Sequence, residues 1–219
     1  MSEGLVIVSG GMDSVTLAYQ FRADRHKVSM LSFDYGQRHK QEVGYAKLAA
    51  LRLNCDWHLI DLTSMKLPGS SLTDPGVPVP DGHYAAPSMK ATVVPNRNAI
   101  MLSIAVGLAS ARGLDFVATA IHGGDHFIYP DCRPDFISRF NDMISVALEG
   151  FVVPFVVAPF LMKTKADIVS IGHAGGVPFS DTWSCYKGGA THCGTCGTCN
   201  ERKEAFQLAG VADPTLYEV

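Results

Sequence analysis

The chain has 219 residues, which is enough for one large or two small domains with a hydrophobic core. Its formal net charge of −3 argues against a nucleic-acid surface, which would be basic. No apolar run reaches the roughly 18 residues of a membrane span, and no basic leader with a cleavage site precedes the first hydrophobic run. We therefore expect a cytoplasmic protein with neither nucleic-acid nor membrane partners.

Strand and helix patterns alternate along the first 175 residues. Short apolar runs predict strands at residues 5–8, 28–33, 57–62, 116–119 and 153–158. Helical spacing of apolar residues predicts helices at residues 15–22, 41–53, 98–112, 134–148 and 164–173. This alternation predicts an α/β fold, a Rossmann-like parallel sheet flanked by helices, which binds ligands at the carboxyl ends of its strands.

Residues 9–14, Ser-Gly-Gly-Met-Asp-Ser, lie between the first predicted strand and the first helix. Backbone N–H groups at such a helix start bind anions, and phosphate is the expected ligand. The loop lacks the Gly-Lys-Ser/Thr ending of a Walker A loop and the third glycine of a dinucleotide fingerprint. It resembles the pyrophosphate loop of the ATP pyrophosphatases, which cleave ATP between its α- and β-phosphates. The predicted nucleotide-binding residues are Val8, Ser9, Gly10, Gly11, Met12, Asp13 and Ser14.

Residues 63–95 interrupt the alternation with six prolines and are too long for an ordinary connection. A lid over a reactive intermediate and a disordered or merely decorative loop are both open interpretations.

A second interruption is the C-terminal stretch, residues 176–219, which carries four cysteines: Cys185, Cys193, Cys196 and Cys199. Four thiolates at this spacing, with glycines between them, predict a structural zinc ion that holds this segment on the α/β domain of residues 1–175. An iron–sulfur cluster also takes four thiolates and stays open as the alternative.

Six segments, taken in order, are similar to the 7-cyano-7-deazaguanine (preQ0) synthase family. They are residues 8–14, 33–39, 94–98, 129–136 with Tyr-Pro-Asp-Cys-Arg-Pro, 163–168, and 182–186 leading to the cysteines. The resemblance implies an adenine-nucleotide α-hydrolase-like fold. It also implies a ligase that converts 7-carboxy-7-deazaguanine and ammonia to the nitrile with two ATP per turnover. Mg²⁺, one Zn²⁺ per subunit and a homodimer are implied as well.

Site roles follow from this chemistry. Asp13 is expected to act through Mg²⁺, because a bare carboxylate repels phosphate. Lys163 and Lys165 are candidates to neutralise the leaving pyrophosphate, and Arg97 to contact phosphate or carboxylate; surface roles are the alternative for all three. Within the Tyr-Pro-Asp-Cys-Arg-Pro segment, Tyr129, Asp131 and Arg133 are the predicted substrate-binding residues, although Asp131 and Arg133 have the alternative of pairing with each other.

Residues 121–128, Ile-His-Gly-Gly-Asp-His-Phe-Ile, depart from the Asn-Ala-Val-Asp type of sequence expected in this family. This departure leaves open an enzyme that stops at the amide, 7-amido-7-deazaguanine. The sequence does not choose among His39, His83, His122 and His126 for the proton of ammonium. A tRNA thiolation enzyme with a similar loop and a non-catalytic nucleotide-binding module are the remaining alternatives.

Overall fold

The protein was analysed as a computed structural model, which describes residues 2–218 except for the side chains of residues 125 and 126. The strands are β1 (Glu3–Ile7), β2 (Lys27–Asp34), β3 (Trp57–Asp61), β4 (Phe116–Ala118) and β5 (Phe155–Val157). They form one parallel sheet in the order β3-β2-β1-β4-β5, in which Val6 pairs with Met30 on one side and Ala118 on the other. The strand order reverses beside β1, and this reversal opens a crevice at the carboxyl end of the sheet.

The helices within the described residues are α1 (Met12–Ala23), α2 (Glu42–Leu53), α3 (Arg97–Ala111), α4 (Pro134–Ala147), α5 (Lys165–Ala174) and α6 (Gly197–Ala209). The predicted α/β fold is confirmed, and each predicted strand and helix is present with small shifts at its ends. The fifth strand is shorter than predicted and begins after Pro154, which has no N–H to donate to a ladder. Helix α6 was not predicted.

Alternate residues of each strand face opposite helical layers. In β2, Val28 and Met30 belong to the core that α1, α2, α5 and α6 cover. Leu31 and Phe33 belong to the core under α3 and α4. Helices on both faces make the sheet inaccessible except at its ends, so the ligand crevice lies at the carboxyl edge.

Residues 63–95 pack against the sheet domain. Leu72 and Thr92 in this segment are fully buried. The Ser71 N–H donates to the Ala91 carbonyl oxygen at 2.7 Å, which ties the two ends of the segment together. The segment therefore has a defined place next to the crevice.

The chain after residue 175 shares the core of the sheet domain. Phe206 of α6 packs edge-on against Phe179, with ring centroids 5.0 Å apart. Arg202 is fully buried and donates to the Thr182 hydroxyl at 2.8 Å and to Asp213 at 3.2 Å. Across residues 2–218, no helix combines the length and apolar character needed to cross a bilayer.

Candidate active site

The loop between β1 and α1 is held open by hydrogen bonds among its own groups. The hydroxyl groups of Ser9 and Ser14 lie 3.2 Å apart, and the Ser14 hydroxyl donates to the Gly11 carbonyl oxygen at 3.1 Å. Gly11 precedes the helix in extended conformation and supplies no side-chain cap. The first N–H groups of α1 therefore lie at the crevice without a side-chain cap, which suits an anion, and the phosphate role of the loop stays a prediction.

Gly10 is required by its backbone and by its neighbours. Its φ is +100°, a backbone conformation that residues other than glycine rarely adopt. A Cβ at this position would lie 2.0 Å from the Glu42 carbonyl oxygen. Its own carbonyl oxygen accepts the Trp183 N–H at 2.9 Å. Gly10 thus lets the loop pass between α2 and the segment that leads to the cysteines.

A charged cluster lies at the start of α1. Lys165 Nζ lies 3.2 Å from Asp13 Oδ2 and 2.6 Å from Glu201 Oε2. His122 Nε2 lies 3.9 Å from the same Asp13 oxygen. Asp13 Oδ1 is buried and has no hydrogen-bond partner among the described residues. This oxygen is therefore available to a cation, and it suits the hard, oxygen-preferring Mg²⁺.

A cavity of about 230 Å³ opens at the carboxyl edge of the sheet beside this cluster. Nine of the residues predicted for catalysis, nucleotide or substrate line it: Val8, Ser9, Gly11, Met12, Asp13, Ser14, Arg97, Tyr129 and Lys165. Tyr84 and Met89 of the 63–95 segment and Trp183, Ser184 and Tyr186 of the cysteine segment line it as well. The cavity is thus enclosed by three stretches that are far apart in the sequence.

Four predicted site residues do not line this cavity: Gly10, Asp131, Arg133 and Lys163. Asp131 instead accepts the Asn98 N–H at 3.0 Å, at the start of α3, where a carboxylate satisfies a free helix donor. Arg133 and Lys163 have exposed side chains. The ligand roles of Asp131, Arg133 and Lys163 stay predictions.

Part of the cavity wall is aromatic, with Tyr35, Tyr129 and Tyr186 among its residues. Arg97 donates to the Tyr35 hydroxyl at 3.3 Å, and the Tyr129 hydroxyl lies 2.6 Å from Thr92 Oγ1. Burial raises the pKa of Tyr35 to about 12, so its hydroxyl stays protonated at neutral pH. A guanidinium among aromatic rings suits a flat ligand with an acidic group.

Two of the four candidate histidines line the cavity, His39 and His122. The Gly124 N–H donates to His122 Nδ1 at 3.2 Å, so the neutral ring carries its proton on Nε2, toward Asp13. His83 is exposed, and the side chain of His126 lies outside the described residues.

Two buried carboxylates in the cavity were missed by sequence reasoning. Glu42 accepts a hydrogen bond from Gln37 Nε2 at 3.2 Å and lies 3.4 Å from His39 Nε2. Glu201 follows the last cysteine on α6 and contacts Lys165. Because α6 was not predicted, nothing placed Glu201 near the phosphate loop; for Glu42, the signal was a glutamate just after the polar end of the second strand.

The four cysteines of the C-terminal segment converge. Their sulfur atoms all lie within 4.8 Å of one another, and Cys193 Sγ is 3.9 Å from Cys199 Sγ. Four sulfurs around one tetrahedral ion at about 2.3 Å are expected roughly 3.8 Å apart. The N–H groups of Cys193 and Cys196 donate to neighbouring sulfurs, as they do to metal-bound thiolates. The cluster therefore fits one metal ion.

The close approach of the four sulfur atoms also favours a bound cation. Hydrogen bonds with Cys185 and Cys199 lower the pKa of Cys196, whereas hydrogen bonds with Cys185 and Cys196 raise the pKa of Cys199. Four thiolates this close together in a buried place would repel one another. A divalent ion removes this conflict by stabilising all four thiolates.

The family model described as "Queuosine biosynthesis protein QueC" matches residues 3–210. The chain belongs to this family. A 7-cyano-7-deazaguanine synthase from Allorhizobium ampelinum is 59% identical over 216 residues, covering 98% of this chain and 92% of the relative. A 7-cyano-7-deazaguanine synthase from Paracoccus denitrificans is 56% identical over 216 residues, covering 98% of this chain and 92% of the relative.

Solved structures support the fold of this QueC family member. NMN synthetase from Francisella tularensis superposes with a TM-score of 0.51 at 15% identity, covering 96% of this chain and 79% of that one. The U34-tRNA thiolase NcsA from Methanococcus maripaludis gives 0.50 at 10% identity, covering 94% and 65%. These likenesses concern the fold alone. The predicted family and its α/β fold are confirmed.

Proposed function

We propose that this chain is a ligase that makes 7-cyano-7-deazaguanine from 7-carboxy-7-deazaguanine, ammonia and ATP, in queuosine biosynthesis. Membership of the QueC family supports the reaction. The observation that carries it is the shared cavity, which the phosphate loop and Lys165 line together with Arg97 and Tyr129. An acid and the α-phosphate of ATP can meet only in such a common space.

Activation is needed because ammonia does not displace oxide from a carboxylate. Attack of the acid on the α-phosphate gives an acyl adenylate and releases pyrophosphate. Ammonia then displaces AMP and forms the amide. Attack of the amide oxygen on the α-phosphate of a second ATP releases a second pyrophosphate. Loss of AMP and two protons from this adenylated amide then gives the nitrile. One phosphate site therefore serves twice in each turnover.

The phosphate loop would bind the pyrophosphate through the first N–H groups of α1 and the hydroxyl groups of Ser9 and Ser14. Lys165 lies close enough to this loop to neutralise the charge that develops on the leaving group. Asp13 would hold Mg²⁺ through its buried free oxygen, and the ion would supply charge neutralisation at the phosphates.

Substrate recognition is assigned to the aromatic wall. Arg97 would bind the carboxylate of the acid and Tyr129 would contact the deazaguanine ring, since both line the cavity. Asp131 would support this wall from behind, because it holds the N-terminus of α3 at Asn98, which lines the cavity.

Zinc is the metal that we assign to the four cysteines. Their mutual distances suit a single tetrahedral ion, whereas an iron–sulfur cluster separates its thiolates by a cage of iron and sulfide. Four protein ligands leave no open position, which supports a structural role. Reduced thiolates are maintained in the cytoplasm, where we place the enzyme.

A homodimer is proposed on the exposed apolar side chains around the sheet edge. Val146, Phe151 and Phe155, at the end of α4 and the start of β5, are each more than half exposed. Large exposed apolar side chains at a sheet edge would be covered in a protein interface. Sedimentation of the wild type and of Phe155→Lys would test this, with a dimer expected only for the wild type.

Product mass tests the reaction itself. Purified protein would be incubated with the acid, ammonium, ATP and Mg²⁺, and the deazapurine product and AMP quantified by mass spectrometry. We expect the nitrile, with two AMP per nitrile, and no product when ATP or ammonium is omitted. The amide as sole product would support the alternative end point. Absence of both the nitrile and the amide would refute the proposal.

A further inference from the structure

Glu201 is a charged side chain of the cysteine-bearing helix that reaches the phosphate loop. Its side chain is 9% exposed, and its Oε2 lies 2.6 Å from Lys165 Nζ. Lys165 in turn is 14% exposed and contacts Asp13. A lysine with two carboxylate contacts in a buried cluster has a defined position, which its four flexible bonds would not give it alone.

We propose that Glu201 is a positioning residue, which holds the Lys165 ammonium at the place where it meets the phosphates of ATP. The proposal rests on the proposed function for the role of Lys165 in turnover. Its physical basis is separate: ordering the lysine before ATP arrives removes an entropy cost from binding and from the transition state.

Helix packing makes Glu201 suited to this task. Helix α6 packs against α5, and Lys165 is the first residue of α5. Thr164 fixes that helix start by a capping box, in which its hydroxyl accepts the Asp167 N–H at 3.1 Å. The lysine backbone is therefore fixed by α5, while its ammonium is fixed from the other side by α6.

The sign of the electrostatic effect gives a sharp test. Removal of a negative charge near a phosphate site would by itself strengthen phosphate binding. Loss of affinity in a Glu201 variant must therefore come from loss of the lysine position. Glu201→Gln removes the charge but keeps an oxygen acceptor for the ammonium, whereas Glu201→Ala removes both.

Binding of α,β-methylene-ATP with Mg²⁺, measured by calorimetry, is the first readout, and it requires no acid substrate. We expect Glu201→Ala to weaken binding about tenfold, the size of one hydrogen bond to a charged group, and Glu201→Gln to bind at least as well as the wild type. Glu149→Gln, the same change at an exposed glutamate, should bind as the wild type does.

A double-mutant cycle with Lys165→Met separates positioning from a general structural role. Glu201→Ala should add no further loss in the Lys165→Met background. In AMP release, Glu201→Ala should lower kcat and leave the KM of the acid unchanged. Melting curves for each variant, with Glu201→Gln as the conservative change, identify any loss that comes from unfolding.

Additive losses in the cycle, or wild-type affinity in Glu201→Ala, would overturn the proposal. So would a Glu201→Gln variant as weak as Glu201→Ala, or a wild type that does not bind the analogue. A wild type that binds the analogue and shows the expected cycle, but forms neither nitrile nor amide, would refute the proposed function and leave the role of Glu201 standing.

Discussion

The Trp183 N–H donates to the Gly10 carbonyl oxygen at 2.9 Å, and the Trp183 indole donates to the Cys185 carbonyl oxygen at 2.7 Å. One residue therefore connects the phosphate loop to the first cysteine of the four-cysteine cluster. The two motifs of greatest chemical interest are neighbours in space although about 175 positions separate them in the chain.

Gly10→Ala should disrupt the phosphate loop. The new Cβ would meet the Glu42 carbonyl oxygen at 2.0 Å and would force an unfavourable φ. We expect a loss of more than about 3 kcal/mol in the free energy of unfolding, measured in urea, and loss of ATP binding. Gly36→Ala, with φ +79° but open space around the Cβ, should cost only about 1–2 kcal/mol. Equal losses in the two variants would show that the close contact is unimportant.

Asp13→Ala should abolish AMP release while the protein stays folded. Removal of the only carboxylate that belongs to the phosphate loop should lower the rate by at least about 100-fold. The check is AMP formation by liquid chromatography, with Asp24→Ala at the exposed end of the same helix as the control. AMP production at the wild-type rate would remove Asp13 from the mechanism.

Single substitutions can distinguish the roles of the two lysines near the start of α5. Lys165→Ala should lower kcat by about 100-fold, because its ammonium lies at the phosphate loop. Lys163 has an exposed side chain outside the cavity, so Lys163→Ala measures whether residue 163 also acts. A loss comparable to that of Lys165→Ala would restore the predicted role of Lys163, and a change under about twofold would end it.

Cys193→Ser should release the metal ion and lower the melting temperature. Three thiolates bind a tetrahedral ion far less tightly than four, and binding free energy is folding free energy in such segments. Elemental analysis should find one zinc per chain in the wild type and in Cys55→Ser, a thiol outside the cluster. Full zinc content in Cys193→Ser would show that the ligand set is wrong, and iron with visible absorption would favour a cluster.

Arg202→Met should destabilise the C-terminal segment by about 3–5 kcal/mol, because it leaves Asp213 half-buried without its cation. Urea unfolding at neutral pH measures this loss. Arg139→Met, at an exposed pair with Asp135, should leave stability nearly unchanged. A small effect of Arg202→Met would mean that water replaces the guanidinium.

Periodicity and loop chemistry predicted the sheet, the phosphate loop and the convergence of the cysteines. Helix α6 was not predicted because its first turn is Gly-Thr-Cys-Asn, a poor helix start. Its buried face also includes charged residues such as Arg202, which hides the apolar spacing. Tertiary hydrogen bonds and packing, which a local pattern does not encode, stabilise that face.

Side-chain direction was the harder part of the site. Tyr129 and Cys132 line the cavity, whereas Asp131 between them turns to α3, because a 3-10 turn sends successive side chains to different sides. Thr164 separates Lys163 from Lys165 in the same way, since the chain enters the helix there. Sequence proximity to a motif thus identified the right segments but not every residue that faces the ligand.

The 63–95 segment is fastened to the cysteine segment at a second place. Asp81 forms an isolated backbone bridge with Cys196 and accepts hydrogen bonds from Lys187 at 2.6 Å and Thr195 at 2.7 Å. Shortening this proline-rich stretch would remove contacts that support the four-cysteine cluster, and not only a surface loop. A deletion in residues 63–95 is therefore expected to perturb residues 187–196 as well, because the two stretches are packed and hydrogen-bonded to each other.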